Sequence, residues 1–379
     1  MLQVIRQNIT GLKYPLYASL TLSFASFGDA FLYPFLPQYA EVMQIPVVWI
    51  GVLLSINRFI RIVFNPFVTV LFTRHGVRQT MITASIVAIA STIGYGLGLG
   101  LVSLILFRIL WGMAFAILRI GTLAYAFEHE NIGFSLGISR SIQEAGPMFA
   151  LWMGPVLLHY FSIESTFLSL SVLSLPALLY AFRLPELNYI ARSQRLINFS
   201  MPSLFNSLTF LVSFIVEGVL IIVLGLFIAK NNEQLTSLMI TSLAAGYLVY
   251  RRICFILFSP ISGAIADRIG FAKIFNGSVL LIIAGLILLL MGWEMIGLII
   301  IFTFNSVNST MAPGRVSEKQ ADKIKAVATN ATWRDIGAAT GTLTGGLLLP
   351  GSLLREVFII ATFILGAVLV LNYNKLKKK

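Results

Sequence analysis

The fold class predicted from the sequence is an all-helical membrane protein, with twelve spanning helices in two related six-helix bundles. Three observations predict it. The first is composition: 58% of the 379 residues are hydrophobic, only 11% are charged and mean hydropathy is +0.89. A soluble domain carries about 25% charge, so most of this surface must face lipid rather than water. The second is a succession of apolar runs, each near the roughly 20 residues that cross a bilayer. The third is an internal repeat that relates the two halves of the chain. This composition excludes a soluble enzyme, a disulfide-stapled secreted scaffold and a nucleic-acid binder. The single cysteine, Cys254, lies in an apolar run and reads as core.

In chain order, the first run, 15–40, carries Asp29; it is too long for a cleaved leader and is read as a retained span. The second, 47–72, carries Arg58 and Arg61, three residues apart and therefore on one helix face. The third, 79–99, ends in a glycine-rich turn that lacks the Lys-Ser/Thr of a phosphate loop. The fourth, 102–127, carries Arg108 and Arg119. The fifth, 133–160, carries Arg140 and Glu144, four apart on one face. The sixth, 163–184, leads into a polar stretch, 185–202, the natural midpoint linker. The seventh, 203–229, carries Glu217; the eighth, 236–265, carries Arg251 and Arg252. The ninth, tenth and twelfth (272–291, 293–313 and 352–372) carry no charge at mid-depth. The eleventh, 324–350, carries Arg334 and Asp335. The expected organisation is an N-terminal bundle over 1–184, a linker over 185–202 and a C-terminal bundle over 203–379.

Loop charge sets the expected orientation. Seventeen Lys and Arg, among them Arg6, Lys13, Arg74, Arg78, Arg183, Arg192, Arg195, Arg268, Lys319 and Lys375–Lys379, fall on one side; Lys230 and Arg355 alone fall on the other. The positive-inside rule then places both termini in the cytoplasm, as for a bacterial-type inner-membrane protein. Most of the +12 net charge is topology signal.

A shift of 194 residues superimposes the halves: Arg58 on Arg252, Phe64 on Phe258, Pro66 on Pro260, Arg74 on Arg268, Gly76 on Gly270 and Arg140 on Arg334. Arginine is rare inside membranes, so its repetition at matching depth carries the most weight. Two parallel repeats imply a pseudo-two-fold axis along the membrane normal, with a cavity between the halves at mid-depth.

The loop after the eighth span reads Gly263-x-x-x-Asp267-Arg268-x-Gly270 and resembles the signature loop of the major facilitator superfamily. Its first-half copy retains Arg74 and Gly76, with Thr73 in place of the acid. Arg108-x-x-x-Gly112 is similar to that family's helix-4 motif, and Gly146-Pro147 with Gly154-Pro155 to its helix-5 glycine-proline motif. The resemblance implies alternating access by rocking of the two halves. It also implies that helices 1, 2, 4, 5, 7, 8, 10 and 11 line the cavity, while 3, 6, 9 and 12 face lipid. Gating is expected from Gly263, Asp267, Arg268, Gly270, Arg74 and Arg108, with the second-half copy dominant because Thr73 replaces its acid.

Eight arginines remain inside the spans, with four acids: Asp29, Glu144, Glu217 and Asp335. At about 2.5–3.5 kcal/mol each, eight arginines facing lipid would cost on the order of 20 kcal/mol, beyond the net stability of about 5–15 kcal/mol of a typical fold. They must face a wet cavity or partners, and all twelve charges fall on helices expected to line it. A cavity with four more guanidiniums than carboxylates suits an anion, because guanidinium forks pair with carboxylate or phosphate and stay charged.

The function expected is therefore secondary transport of a small organic anion (a polycarboxylate, a carboxylate siderophore or a phosphate ester), coupled to protons. Substrate binding is expected at Arg58, Arg61, Arg140, Arg252 and Arg334. Proton carriage is expected first at Glu217, which has no arginine within a turn of its own helix, then at Asp29, with Glu144 and Asp335 as further candidates. Arg119 is expected, like Arg108, to be structural or gating. The alternative is export of amphipathic drugs or lipids by proton antiport. Expected partners are the anionic solute, protons and the bilayer, with no nucleic acid and a monomeric state. No enzyme activity, metal or cofactor is expected, since His75, His129 and His159 are scattered.

Overall fold

A computed structural model describes residues 11–46, 48–187, 189, 202–230, 237–318, 320–348 and 354–377. Arg6, Arg192, Arg195, Lys319, Lys378, Lys379 and most of the 185–202 linker lie outside the described residues. The described residues form twelve helical rods. We label them α1 (Lys13–Ala25 and Phe27–Tyr39), α2 (Val48–His75), α3 (Val77–Gly96), α4 (Gly100–Ala126), α5 (Ile132–Tyr160) and α6 (Ile163–Ser174 and Pro176–Phe182). The second six are α7 (Leu204–Val212, Ser213–Val219 and Leu220–Lys230), α8 (Ser237–Ile269), α9 (Phe271–Leu290), α10 (Glu294–Ser317), α11 (Lys323–Leu348) and α12 (Leu354–Lys377).

The expected spans and the rods agree to within a few residues, because an apolar run has one way to satisfy its backbone in lipid: as a helix. Among the described residues, nine of the rods are long and apolar enough to cross a membrane by length and composition. The other three are α1, α5 and α11. α1 is broken at Ser26 into two short stretches, and α5 and α11 carry charge at mid-span. The three rods least suited to lipid are thus among those that meet at the centre of the molecule.

Two apolar cores stabilise the fold. One joins residues of α1–α6, around Phe31, Phe35, Trp111 and Phe167; the other joins α7–α10 and α12, around Phe275, Ile282, Phe302 and Phe358. The outward faces of α6 and α12 remain apolar and exposed, at Leu168, Val172, Phe182, Ile360 and Phe363, as a lipid-facing surface requires.

Glycine sets the closest approaches between rods. Within the first bundle α5 meets α1 at Gly146, against Ser23, and at Gly154, against Phe31; in the second, α11 meets α7 at Gly337 and Gly341, against Phe210 and Phe214. Gly76 and Gly270, repeat mates at the starts of α3 and α9, take φ of 78° and 95°, which L side chains rarely adopt. The signature-loop glycine is therefore a backbone requirement of the sharp α2–α3 and α8–α9 turns.

Both described chain ends lie on one face, with Arg74, Arg78, Arg183, Arg268, Lys273 and Arg315; we term it the basic face. The two halves are closed against each other there. Gly133 of α5 meets Gly263 of α8 backbone to backbone, and Gly137 meets Ser259 and Pro260. Val327 of α11 packs with Ala126, Phe127 and Leu136. A chain of hydrogen bonds between the halves runs from Arg58–Thr342 at mid-depth to Tyr189–Asp322 at the basic face.

Candidate functional site: a central arginine-lined chamber

Each half contributes charge from the middle of its rods. Arg61, Glu217, Arg252 and Asp335 fall at or beside the midpoints of α2, α7, α8 and α11. Helix packing turns these positions toward one chamber of about 630 Å³. Eleven of the twelve intramembrane charges line it: Asp29, Arg58, Arg61, Arg119, Arg140, Glu144, Glu217, Arg251, Arg252, Arg334 and Asp335. The chamber is thus built by α1, α2, α4, α5, α7, α8 and α11, and of the expected lining rods only α10 contributes no residue to it.

The carboxylates do not neutralise the arginines one for one; three of the four are shared. Asp335 accepts two bonds from Arg61, Nη2 to Oδ1 at 2.9 Å and Nε to Oδ2 at 3.3 Å. It also stands 3.6 Å from Arg119 and accepts from Asn65 at 3.0 Å. Glu144 pairs with Arg140 at 2.6 Å and with Arg252 at 2.9 Å. Glu217 accepts a fork from Arg334, at 2.7 and 3.1 Å, with Arg251 at 4.0 Å. Each of these three clusters therefore carries a formal excess of one positive charge. Arg58 has no carboxylate within ion-pair distance among the described residues; its Nη1 donates to the Thr342 hydroxyl at 2.9 Å.

Arg108 is the exception. It is fully buried outside the chamber, paired with Asp29 and donating to the carbonyls of Leu53 and Leu54 at 2.7 and 3.2 Å. These bonds join α4 to α1 and α2 within the first half. Arg74 is exposed at the end of α2. Asp267 accepts from the backbone N–H groups of Gly133, at 2.6 Å, and Phe134, at 2.8 Å, so the second-half signature loop caps the start of α5 across the halves. Arg268 is exposed beside it.

Two sequence expectations change. Glu217 has no arginine within a turn of its own helix and was placed first as proton carrier on that ground; Arg334 and Arg251 flank it from other rods. Spacing along one helix cannot register a partner on another, and α11 and α8 supply both. Arg119 was expected to be structural or gating; it lines the chamber and shares Asp335 with Arg61. Its signal was the four-residue step from Phe115, which places both side chains on one face, and Phe115 lines the same chamber. Arg251 was likewise missing from the expected binding set. Among the described residues no group of three or more His, Cys, Asp or Glu side chains converges to hold a metal.

The protein is therefore a multi-pass helical membrane protein whose two bundles enclose a cationic central chamber. The profile of the Major Facilitator Superfamily matches residues 18–203, just under half of the chain. No curated protein sequence matches it significantly. Among solved structures, the human organic anion transporter MFSD10 (TETRAN) is similar with a TM-score of 0.74 at 14% identity, over 95% of this chain and 99% of that one. The proton:xylose symporter XylE, bound to 6-bromo-6-deoxy-D-glucose, gives 0.74 at 13% identity, over 96% and 94%. The transporter FucP in its outward conformation gives 0.72 at 14%, over 94% and 97%. At such identities the likeness establishes the shared fold.

Proposed function

We propose that the protein is a proton-coupled secondary transporter of an organic anion with more than one acidic group. The observation that carries this reading is the sharing of carboxylates: seven arginines and four acids line one chamber, and one arginine, Arg58, has no acid beside it among the described residues. An arriving carboxylate or phosphate meets Arg58 without displacing a protein carboxylate. It then competes for the shared guanidiniums of Arg61, Arg252 and Arg334, with Arg119, Arg140 and Arg251 adjoining. The name of the similar human structure, an organic anion transporter, accords with this reading.

Coupling follows from the same competition. Three pairs cross between the halves, Arg61–Asp335, Arg119–Asp335 and Arg252–Glu144, and these must open when the halves rock. A carboxyl that loses its guanidinium in a poorly solvated chamber takes up a proton, so anion and proton occupancy are linked. Asp29 and Glu217 pair within their own halves and need not separate in that motion. Asp335 and Glu144 are thus the proton carriers this geometry favours over the two acids placed first by sequence spacing. The basic face is assigned to the cytoplasm by its Lys and Arg, the two bundles to 1–184 and 203–379, and the working unit to a monomer. Export of apolar cations is disfavoured, since the chamber presents guanidiniums where such solutes need acids.

The test is anion binding by purified protein, read by calorimetry. Arg58→Ala should weaken binding of a di- or tricarboxylate at least tenfold while leaving the melting temperature within a few degrees, because the substitution frees no buried carboxylate. Unchanged affinity in this variant and in Arg252→Ala would discard the site.

A further inference from the structure

The residues that line the chamber are sorted by depth. α1, α5, α7 and α11 run from the basic face to the opposite face, and α2, α4 and α8 run back. Starting from the belt of Arg61, Glu144, Glu217, Arg252 and Asp335, each rod can be followed toward the opposite face. On α5 the next lining residues are Pro147 and Leu151; on α7, Ile221; on α8, Arg251 and then Val249 and Leu248; on α11, Ala338; on α2 they are Arg58 and Asn57. α1 adds Ala30, Tyr33 and Pro34. Val249 is 47% exposed, so the tier is accessible rather than packed shut. The other end of the chamber is sealed by the α5–α8 glycine contacts described above. The cavity therefore has a charged floor and, toward its mouth, an apolar wall on α5, α7, α8 and α11 that faces Tyr33 of α1 and Asn57 and Arg58 of α2.

The uncharged polar lining is sparse: Ser26, Tyr33, Asn57 and Gln143. A polyol or sugar acid needs a donor or acceptor for each hydroxyl it buries, since an unpaired buried hydroxyl is costly. Along the wall formed by Pro147, Leu151, Ile221, Leu248, Val249 and Ala338 no side chain can pair a hydroxyl, so a polyhydroxylated body lying there is left unpaired, whereas an apolar body needs no partner.

Resting on the anion reading above, we propose that the substrate is an amphipathic anion: acidic groups clustered at one end, seated on the arginine floor, with an aliphatic or aromatic body against Leu151, Ile221, Leu248 and Val249. The acidic head supplies recognition by charge, and the body supplies affinity by leaving water. Each methylene buried contributes about 0.8 kcal/mol, a factor of about four in affinity.

The alkylmalonates test this, because both carboxylates sit on one carbon and only the tail varies. Malonate, butylmalonate and hexylmalonate are titrated by calorimetry into the full-length protein in nanodiscs, with empty nanodiscs correcting for partition into lipid. Affinity should rise at least tenfold from malonate to hexylmalonate. The double variant Leu151→Asn with Val249→Asn should flatten the slope of affinity against chain length to less than half, and Leu151→Met should retain it. If malonate binds but native protein shows no rise with tail length, or if the double variant keeps the full slope, the amphipathic assignment falls and the anion reading survives. If no malonate binds, both fall.

Discussion

At the scale of single residues, the chamber is an exercise in incomplete neutralisation. A buried carboxylate that holds two guanidiniums lowers the cost of burying both, and its removal leaves two like charges facing each other. Asp335, 3% exposed, is the clearest case, with Arg61, Arg119 and Asn65 all directed at it. Asp335→Asn should therefore destabilise the protein by about 3 kcal/mol or more, read as a fall in melting temperature. Millimolar polycarboxylate should recover part of that loss by replacing the missing charge. Thr342→Val, which removes only the hydroxyl beside Arg58, should cost about 1 kcal/mol. Equal stability of the asparagine variant and the native protein would show that the arginines do not depend on the shared acid. The presence of these charges was legible in the sequence, because intramembrane arginine needs a partner or water. Their pairing was not. Arg61 and Asp335 are 274 positions apart, and no spacing rule within a helix joins them.

At the scale of elements, the α5–α8 contact closes the basic face by bringing two backbones together at Gly133, Gly137 and Gly263. Any side chain at Gly263 meets the Gly133 backbone, and backbone cannot give way as a flexible side chain can. Gly263→Val should force the two rods apart and destabilise the closed arrangement by about 1–3 kcal/mol. Spin labels placed at the basic ends of α5 and α8 should report a longer distance. Gly277→Ala on α9, where the added methyl meets open space, is the matched control and should leave the distance unchanged. A second tie is Tyr189, whose hydroxyl donates to both oxygens of Asp322 at 3.0 Å, joining the start of the linker to the start of α11. Burial, followed by the Asp322 charge and the hydrogen bond to it, pushes the Tyr189 phenol up from its ordinary value. A phenol held protonated in the fold contributes stability that is intact below about pH 10 and lost as pH rises beyond it. Tyr189→Phe should thus cost about 1 kcal/mol at pH 8, and the difference from the native protein should shrink as melts are repeated toward pH 11. A constant difference across that range would show that the contribution does not depend on the hydroxyl proton.

At the scale of the whole molecule, the repeat and the chamber state one physical problem in two forms. Two bundles with apolar outer faces can move against each other only if their shared surface is polar enough to be wetted when it opens. The charges therefore collect on that surface and are absent from mid-depth of α3, α6, α9 and α12. In the transport cycle proposed above, rocking would exchange the cross-half pairs for contacts with water, proton or solute. In proteoliposomes, uptake of a labelled polycarboxylate should follow an imposed pH gradient, and Asp335→Asn should carry out exchange without responding to that gradient. Uptake that ignores the gradient in the native protein would remove the proton from the cycle while leaving the anion site in place.

Composition, run length and the 194-residue repeat were enough to specify twelve helices, their boundaries to within a few residues and the rods that carry charge. The reason is that lipid leaves the backbone one solution and makes every intramembrane charge conspicuous. Which guanidinium meets which carboxylate, the inclusion of Arg119 and Arg251, the isolation of Arg58 and the withdrawal of Arg108 behind the wall emerged only when the rods were packed. Those outcomes depend on the rotation of each helix about its axis and on contacts between the halves, which side-chain volumes and glycine approaches fix in three dimensions. The apolar tier above the arginine floor has the same origin: Leu151 and Val249 are ordinary membrane residues until packing turns them toward the cavity mouth.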